Sequence, residues 1–243
     1  MRKNYIFKAM KYCKNYISDI AKDESGLAFV EFAVSLPVFL GLGMYGSETS
    51  YLALTNLKLS QSALNLADNG SRLGQTDNGV ATPVIKESDV LEILYGTKLQ
   101  SGKNDFMENG RFIIASLEVK TVSNGSGGTK EQQFVGWRRC KGKKVAVTKY
   151  NDDVDGNGVT DSGFNGMGDP ANPIQAVSGS AVIFVEAEFD YQPLFGDLFH
   201  KNKKLRQEAS FNIRDDRNLS AGLFGDVASS KRAYCNKYDD TFT

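Results

Sequence analysis

The hydrophobic pattern divides the chain into three stretches. From Leu27 to Gly46 apolar residues dominate, interrupted by Glu31, Ser35 and Pro37. As a helix this stretch rises about 30 Å, the thickness of a bilayer's hydrocarbon core. Pro37 removes one helical hydrogen bond and predicts a kink or a loosened turn. After Gly46 the pattern becomes amphipathic: Tyr51, Leu54, Leu57, Leu64 and Ala67 recur near three-and-four spacing, with Gln61, Asn65 and Asp68 between them. Asn69-Gly70 reads as a stop. The spacing predicts one long helix from about Glu24 to Asp68.

Beyond it, residues 70–87 read as loop, with Asn78-Gly79 and Thr82-Pro83 as breakers. Ser88-Asp89 caps a short helix through Leu94 and Tyr95. Strand character then takes over. Residues 110–122 end in alternation at Leu117, Val119 and Thr121, and Asn124–Gly128 is a turn. Gln132 to Cys140 returns as the second strand of a hairpin. Val145 to Tyr150 reads as a short third strand and residues 151–172 as a Gly- and Asp-rich loop. Ala181 to Tyr191 reads as the strongest strand, and Glu208 to Arg214 as the last. Four or five antiparallel strands beside one long helix make an α+β fold.

Charge adds an orientation. The chain has 29 basic and 29 acidic residues, but residues 1–26 carry Arg2, Lys3, Lys8, Lys11, Lys14 and Lys22 against Asp19, Asp23 and Glu24. The remainder is mildly acidic. Basic residues before a single span keep the N-terminus cytoplasmic and send the rest outward. Glu31 is the anomaly within the span. A charge at the centre of a bilayer helix costs roughly 2.5–3.5 kcal/mol on the lenient insertion scale, so a carboxylate there implies a task. A plain single-pass anchor and a secretory signal peptide cut near Gly43 or Gly46 are the competing readings. Glu31 and Pro37 weigh against the second.

Gly26, four apolar residues, then Glu31 and Phe32 resemble the processing site of prepilins. Ala28-Phe29-Val30-Glu31-Phe32-Ala33 with Leu36-Pro37 is similar to the TadE/TadF minor pilins of the tight-adherence (Tad) secretion system. Val182–Leu194, ending Tyr191-Gln-Pro-Leu194, and Trp137-Arg-Arg-Cys140 resemble later elements of the same family. The resemblance implies a cut between Gly26 and Leu27 by a prepilin peptidase. It also implies a pilin plan, with residues 27–68 as the N-terminal helix (span 27–46) and 69–243 as an exported domain whose antiparallel sheet packs on it. Glu31 and Phe32 would serve assembly, Glu31 meeting the new α-amino group of its own or a neighbouring subunit. The implied role is structural, not enzymatic: priming, tipping or anchoring a pilus for adherence. The implied partners are the peptidase, other pilin subunits and the Tad machinery. The implied location is the bacterial inner membrane, N-in and C-out, then the periplasm or a surface pilus. No nucleic-acid partner is expected. The alternative is a single-pass, membrane-tethered extracytoplasmic binding module that keeps its leader.

Removing the leader removes Cys13 and leaves Cys140 and Cys235, an even pair in a compartment where disulfides persist. They are expected to be bonded to each other; two separate buried thiols are the other reading. Asp153, Asp155, Asn157, Val159 (through its carbonyl) and Asp161 stand at calcium-loop spacing, with Gly158 at the turn. Phe164 occupies the twelfth position, where a bidentate glutamate belongs, with Asp152 or Asp169 as substitutes. The loop is therefore a candidate weak calcium site, or an acidic turn. Enzyme patterns are missing. His200 is the sole histidine, which excludes the usual zinc hydrolase sets. There is no Gly-x-Ser-x-Gly elbow, and Gly136–Lys143 has the wrong spacing for a phosphate loop. The basic clusters at 138–144 and 201–206 read as solvated surface.

Overall fold

A computed structural model describes residues 18, 25–74, 83–150, 163–214, 217–219 and 222–242. Two compact units meet between Ser50 and Tyr51. Helix α1 spans Ser25–Ser71 and contains Pro37. Within its second half, Leu59, Ala63, Leu66 and Ala67 are fully buried, the three-and-four spacing of one helical face. The helix ends at Ser71, the residue after Gly70, close to the expected stop. A Cβ at Gly70 would lie 2.9 Å from Ile183 and 3.0 Å from Ile114, so the glycine serves close approach of helix to sheet.

Strand β1 (Ile85–Lys86) leads into α2 (Glu87–Ser101), which is longer than the sequence suggests. The Lys86 amide donates to the Asp89 carboxylate at 3.0 Å, so Asp89 acts from inside the first turn. Glu87, Val90, Leu94, Thr97 and Ser101 form its buried face.

Strands β2 (Gly110–Ser123), β3 (Thr129–Lys141), β6 (Ala181–Asp190) and β7 (Lys204–Asn212) make an antiparallel sheet in the order β3-β2-β6-β7. Between β3 and β6 lies a small ribbon of β4 (Met167–Asp169), inside the stretch read as loop, and β5 (Asn172–Ile174), which begins at its last residue. Strand β8 (Leu223–Phe224) pairs in parallel with β1. The α+β class holds.

Both sheet faces are covered. On one, Phe112, Ile114, Trp137, Ile183, Val185 and Ala187 pack with the buried residues of α1 and α2. On the other, Ala115, Leu117, Val135, Val182 and Phe184 pack with Met167, Ala176, Tyr150 and Phe164. Coverage on both sides explains why β2 is buried continuously over its first nine residues.

Val145–Tyr150 is not a strand. The chain turns at Gly142, whose φ is 126°, and leaves the sheet. Val145 and Val147 then face solvent, while Tyr150 reaches the outer face and meets Phe184 edge-on at 5.3 Å. A β-prone sequence forms a strand only where an edge is open to receive it. The C-terminal segment already occupies that end of β3: the Cys140 amide donates to the Ala233 carbonyl at 2.8 Å, and Gly142 to Asp239 at 2.9 Å.

Candidate functional site

The residues marked by sequence for processing and assembly lie at the start of α1. Leu27, Phe29, Val30, Phe32, Val34, Val38, Phe39, Leu40 and Leu42 are all exposed. Among the described residues this is the one helix long and apolar enough to cross a membrane, and none of its apolar window is buried. Such a surface is consistent with single-pass membrane anchoring. Glu31 is exposed on the same surface, where Val30, Val34, Ser35, Val38 and Phe39 line a shallow apolar groove beside it. Among the described residues nothing lies within 4 Å of a Cβ built at Gly26. The space around Gly26 would admit a larger side chain, so packing does not demand glycine there.

In the second unit, Cys140 and Cys235 form a disulfide with a Cα–Cα distance of 4.7 Å, as expected. It belongs to a clasp that ties the C-terminal segment to the sheet. The buried Arg111 guanidinium donates to the carbonyls of Gly142 (3.0 Å), Lys237 (2.9 Å) and Cys235 (2.6 Å), and lies 4.3 Å from the Tyr238 ring. Burial lowers its pKa from the ordinary guanidinium value, opposed by Tyr238 and Asp239. Lys141 pairs with Asp239, and Lys98 with Asp240 at 2.7 Å. Burial pushes the Asp239 carboxyl up, but the hydrogen bond and charge of Lys141 together with the bonds from Thr241 outweigh it and leave a net downward shift. Asp240 is lowered chiefly by its hydrogen bond from Lys98.

The basic cluster at 138–144 is solvated only in part: Arg138, Arg139 and Lys141 are buried, and Lys143 is exposed. Arg139 forms a two-pronged pair with Glu87, one arm at 2.8 Å, and Arg138 donates to the Tyr150 carbonyl at 2.5 Å. These contacts join elements far apart in sequence, which a local charge count does not reveal. The 201–206 cluster divides. Lys201, Lys203 and Lys204 are exposed, whereas Arg206 pairs with Glu186, Glu188 (2.9 Å) and Glu208 (3.2 Å). Burial raises the pKa of Glu186, against the lowering effects of Thr148 and Arg206.

The calcium candidates Asp153, Asp155, Asn157, Val159 and Asp161 lie outside the described residues. Phe164 is described: its amide donates to the Gln133 carbonyl at 3.0 Å and its ring joins the outer cluster. Asp169 accepts from the Ala171 amide at 3.0 Å in the β4–β5 turn. A separate acidic trio, Asp105, Glu108 and Asp240, gathers within 4.8 Å. Lys143 pairs with Glu108 and with Asp240 (3.5 Å), so lysines balance that charge. Sequence reasoning did not anticipate Arg111 or Glu87; a charged residue inside an apolar strand was the one available signal for Arg111.

Comparison with known families, with curated proteins and with solved structures finds no match for this chain.

Proposed function

We propose that this chain is a structural minor pilin of the TadE/TadF type. On this reading a prepilin peptidase cuts it after Gly26, and the mature protein joins or primes a Tad-type pilus used for adherence. The observation that carries the reading is Glu31, exposed on an otherwise apolar helix surface five residues beyond an unpacked Gly26. A lone carboxylate in lipid needs a cation, and cutting at Leu27 would create one, because a free α-amino group is protonated near neutral pH. The precursor would sit in the inner membrane with its N-terminus inside, and the disulfide-closed domain would fold outside. The work would be done by helix packing and by the exported domain's exposed surface, with other pilin subunits and the assembly machinery as partners.

The test is the mature N-terminus, read by mass spectrometry from cells with and without a prepilin peptidase. A protein beginning at Leu27 only in the presence of the peptidase supports the reading. A protein that begins at Met1 in both is a tethered module, and one that begins near Gly46 is a secreted domain.

A further inference from the structure

The loop between β6 and β7 carries apolar tips and lysines together. Leu194, Phe195 and Leu198 are 54%, 38% and 67% exposed. Lys201, Lys203 and Lys204 follow, also exposed; Asp197 lies 3.7 Å from Lys201, and Asp190, opposite Lys204 in the sheet, pairs with Lys144. The loop is built, not frayed. Its base is closed by the Tyr191 amide donating to the Lys203 carbonyl at 2.8 Å, and the Phe195 and Phe199 rings meet edge-on at 6.5 Å. Gly196 (φ 62°), between Phe195 and Leu198, and Asn202 (φ 52°), before the last two lysines, take left-handed conformations that turn the chain.

Its place in the chain decides what it faces. The Tyr191 ring, at the root of this loop, lies 5.9 Å from the ring of Tyr51. Tyr51 is five residues past Gly46, where the apolar stretch ends. Five helical residues rise about 7.5 Å, and even fully extended they reach no more than about 18 Å. The headgroup zone outside the hydrocarbon is itself roughly 5–7 Å deep on each side. Chain length alone therefore keeps Tyr51, and the Tyr191 ring beside it, within a few tens of ångströms of the end of the apolar stretch. Lys103, exposed beside the groove that Tyr51 lines, adds a cation at the same end of the domain.

We propose that residues 192–204 are a membrane foot. Leu194, Phe195 and Leu198 enter the outer face of the bilayer that holds α1, and Lys201, Lys203 and Lys204 meet lipid phosphates. Apolar tips flanked by lysines are the composition that binds a lipid interface. The foot would hold the domain against the membrane that α1 spans. The inference rests on α1 spanning the bilayer, and not on the pilin assignment.

The test uses full-length protein in vesicles of phosphatidylethanolamine and phosphatidylglycerol, some carrying lipids brominated near the glycerol end of their chains. Leu198→Trp reports the foot, and Ser126→Trp reports the β2–β3 turn beyond the far ends of those strands. Both positions are exposed, so the substitutions spare the fold, and the buried Trp137 is a constant background. The expected result is that brominated lipid removes roughly half of the emission added at position 198, the residue lying within about 5–10 Å of the acyl boundary. Emission added at position 126 stays unchanged. Replacing Lys201, Lys203 and Lys204 with Gln should weaken the quenching in these vesicles and not in phosphatidylcholine. An unquenched Leu198→Trp in protein that floats with the vesicles overturns the foot and leaves the span standing. Equal quenching at 126 overturns it as well. Protein that does not float removes the span, and the foot with it.

Discussion

The Glu118 carboxylate fills the space that a side chain at Gly136 would need. A Cβ built at Gly136 would fall inside the contact radius of both carboxylate oxygens. Gly136 is the extra residue of a bulge, since the β2–β3 register shifts between Ser116, opposite Trp137, and Leu117, opposite Val135. The bulge lets Trp137 enter the helix-side core and Val135 the outer cluster, although residues two apart in a regular strand share a face. Gly136→Ala should displace Glu118 and cost about 1–3 kcal/mol by overpacking, read from urea unfolding.

Glu118 also predicts a pH dependence. Burial raises its pKa above 4.5, outweighing the hydrogen bond from Ser116 (2.8 Å) and the charges of Lys120 and Arg217. The folded protein therefore holds this proton more tightly than the unfolded chain does. Its stabilising contribution is complete below the unfolded value and is lost as pH rises through the raised one. Glu118→Gln keeps an acceptor for Ser116 and removes the titration. Its melting temperature relative to wild type should climb as pH rises through that window. A flat difference would mean that Glu118 titrates normally.

The long helix was legible from its apolar run and the three-and-four spacing that follows, the β2–β3 hairpin from strand-prone runs around a Gly-rich turn, and β6 from its β-prone composition. The failures have a common cause in contacts distant along the chain. Val145–Tyr150 has strand composition, but the C-terminal segment holds the neighbouring end of β3. Arg138 and Arg139 looked like surface charges because Glu87 and Tyr150, which receive them, lie elsewhere in sequence. Gly70 sits beside the helix end as expected, but its packing role appears only once Ile114 and Ile183 are beside it. An isolated glycine inside a strand is a bulge signal, and at Gly136 that signal was available.

The Arg139–Glu87 pair should behave as a buried ion pair. Both side chains are nearly inaccessible, at 6% and 1% exposure. Glu87→Gln leaves a buried guanidinium without its counter-charge and should cost about 3–5 kcal/mol. The double variant Glu87→Gln/Arg139→Met should be milder than the sum of its single changes, because it removes the stranded charge. Urea titration of all four proteins in detergent gives the coupling directly.

Opening the Cys140–Cys235 bond should loosen the C-terminal clasp. The two cysteines are 95 residues apart in sequence, and the chain-entropy model values so long a closure at about 4–5 kcal/mol. Cys140→Ser should lower stability by an amount of that order. It should also speed proteolysis of residues 226–242, because Arg111 alone then holds three of that region's contacts. Unchanged proteolysis would place the holding strength in the ion pairs of Lys141 and Lys98.

The acidic loop carries a separate expectation of weak calcium binding by Asp153, Asp155, Asn157, Val159 and Asp161. A site of this kind has a dissociation constant near 10⁻⁴–10⁻³ M, about that of extracellular modules. Millimolar calcium should raise the melting temperature, and Asp155→Ala should abolish the gain. A gain that survives Asp155→Ala would assign the effect to another site.

The proposed pilin role makes its sharpest demand on Gly26 and Glu31, and the two should fail differently. Among the described residues nothing lies within 4 Å of a Cβ at Gly26, so packing there does not bar Gly26→Leu. Any loss must therefore arise in recognition by the peptidase, and the expected product is an uncut precursor held in the membrane. Glu31→Gln removes a carboxylate from the span and lowers its insertion cost by up to roughly 2.5–3.5 kcal/mol. That variant should insert and be cut normally. It should still be lost from filaments, because the new α-amino group at Leu27 then has no opposite charge to set the register between helices. Immunoblotting of membrane and sheared-pilus fractions separates the two steps. A Glu31→Gln protein found in filaments at wild-type level would reduce Glu31 to a tolerated charge near one interface, as in a plain anchor.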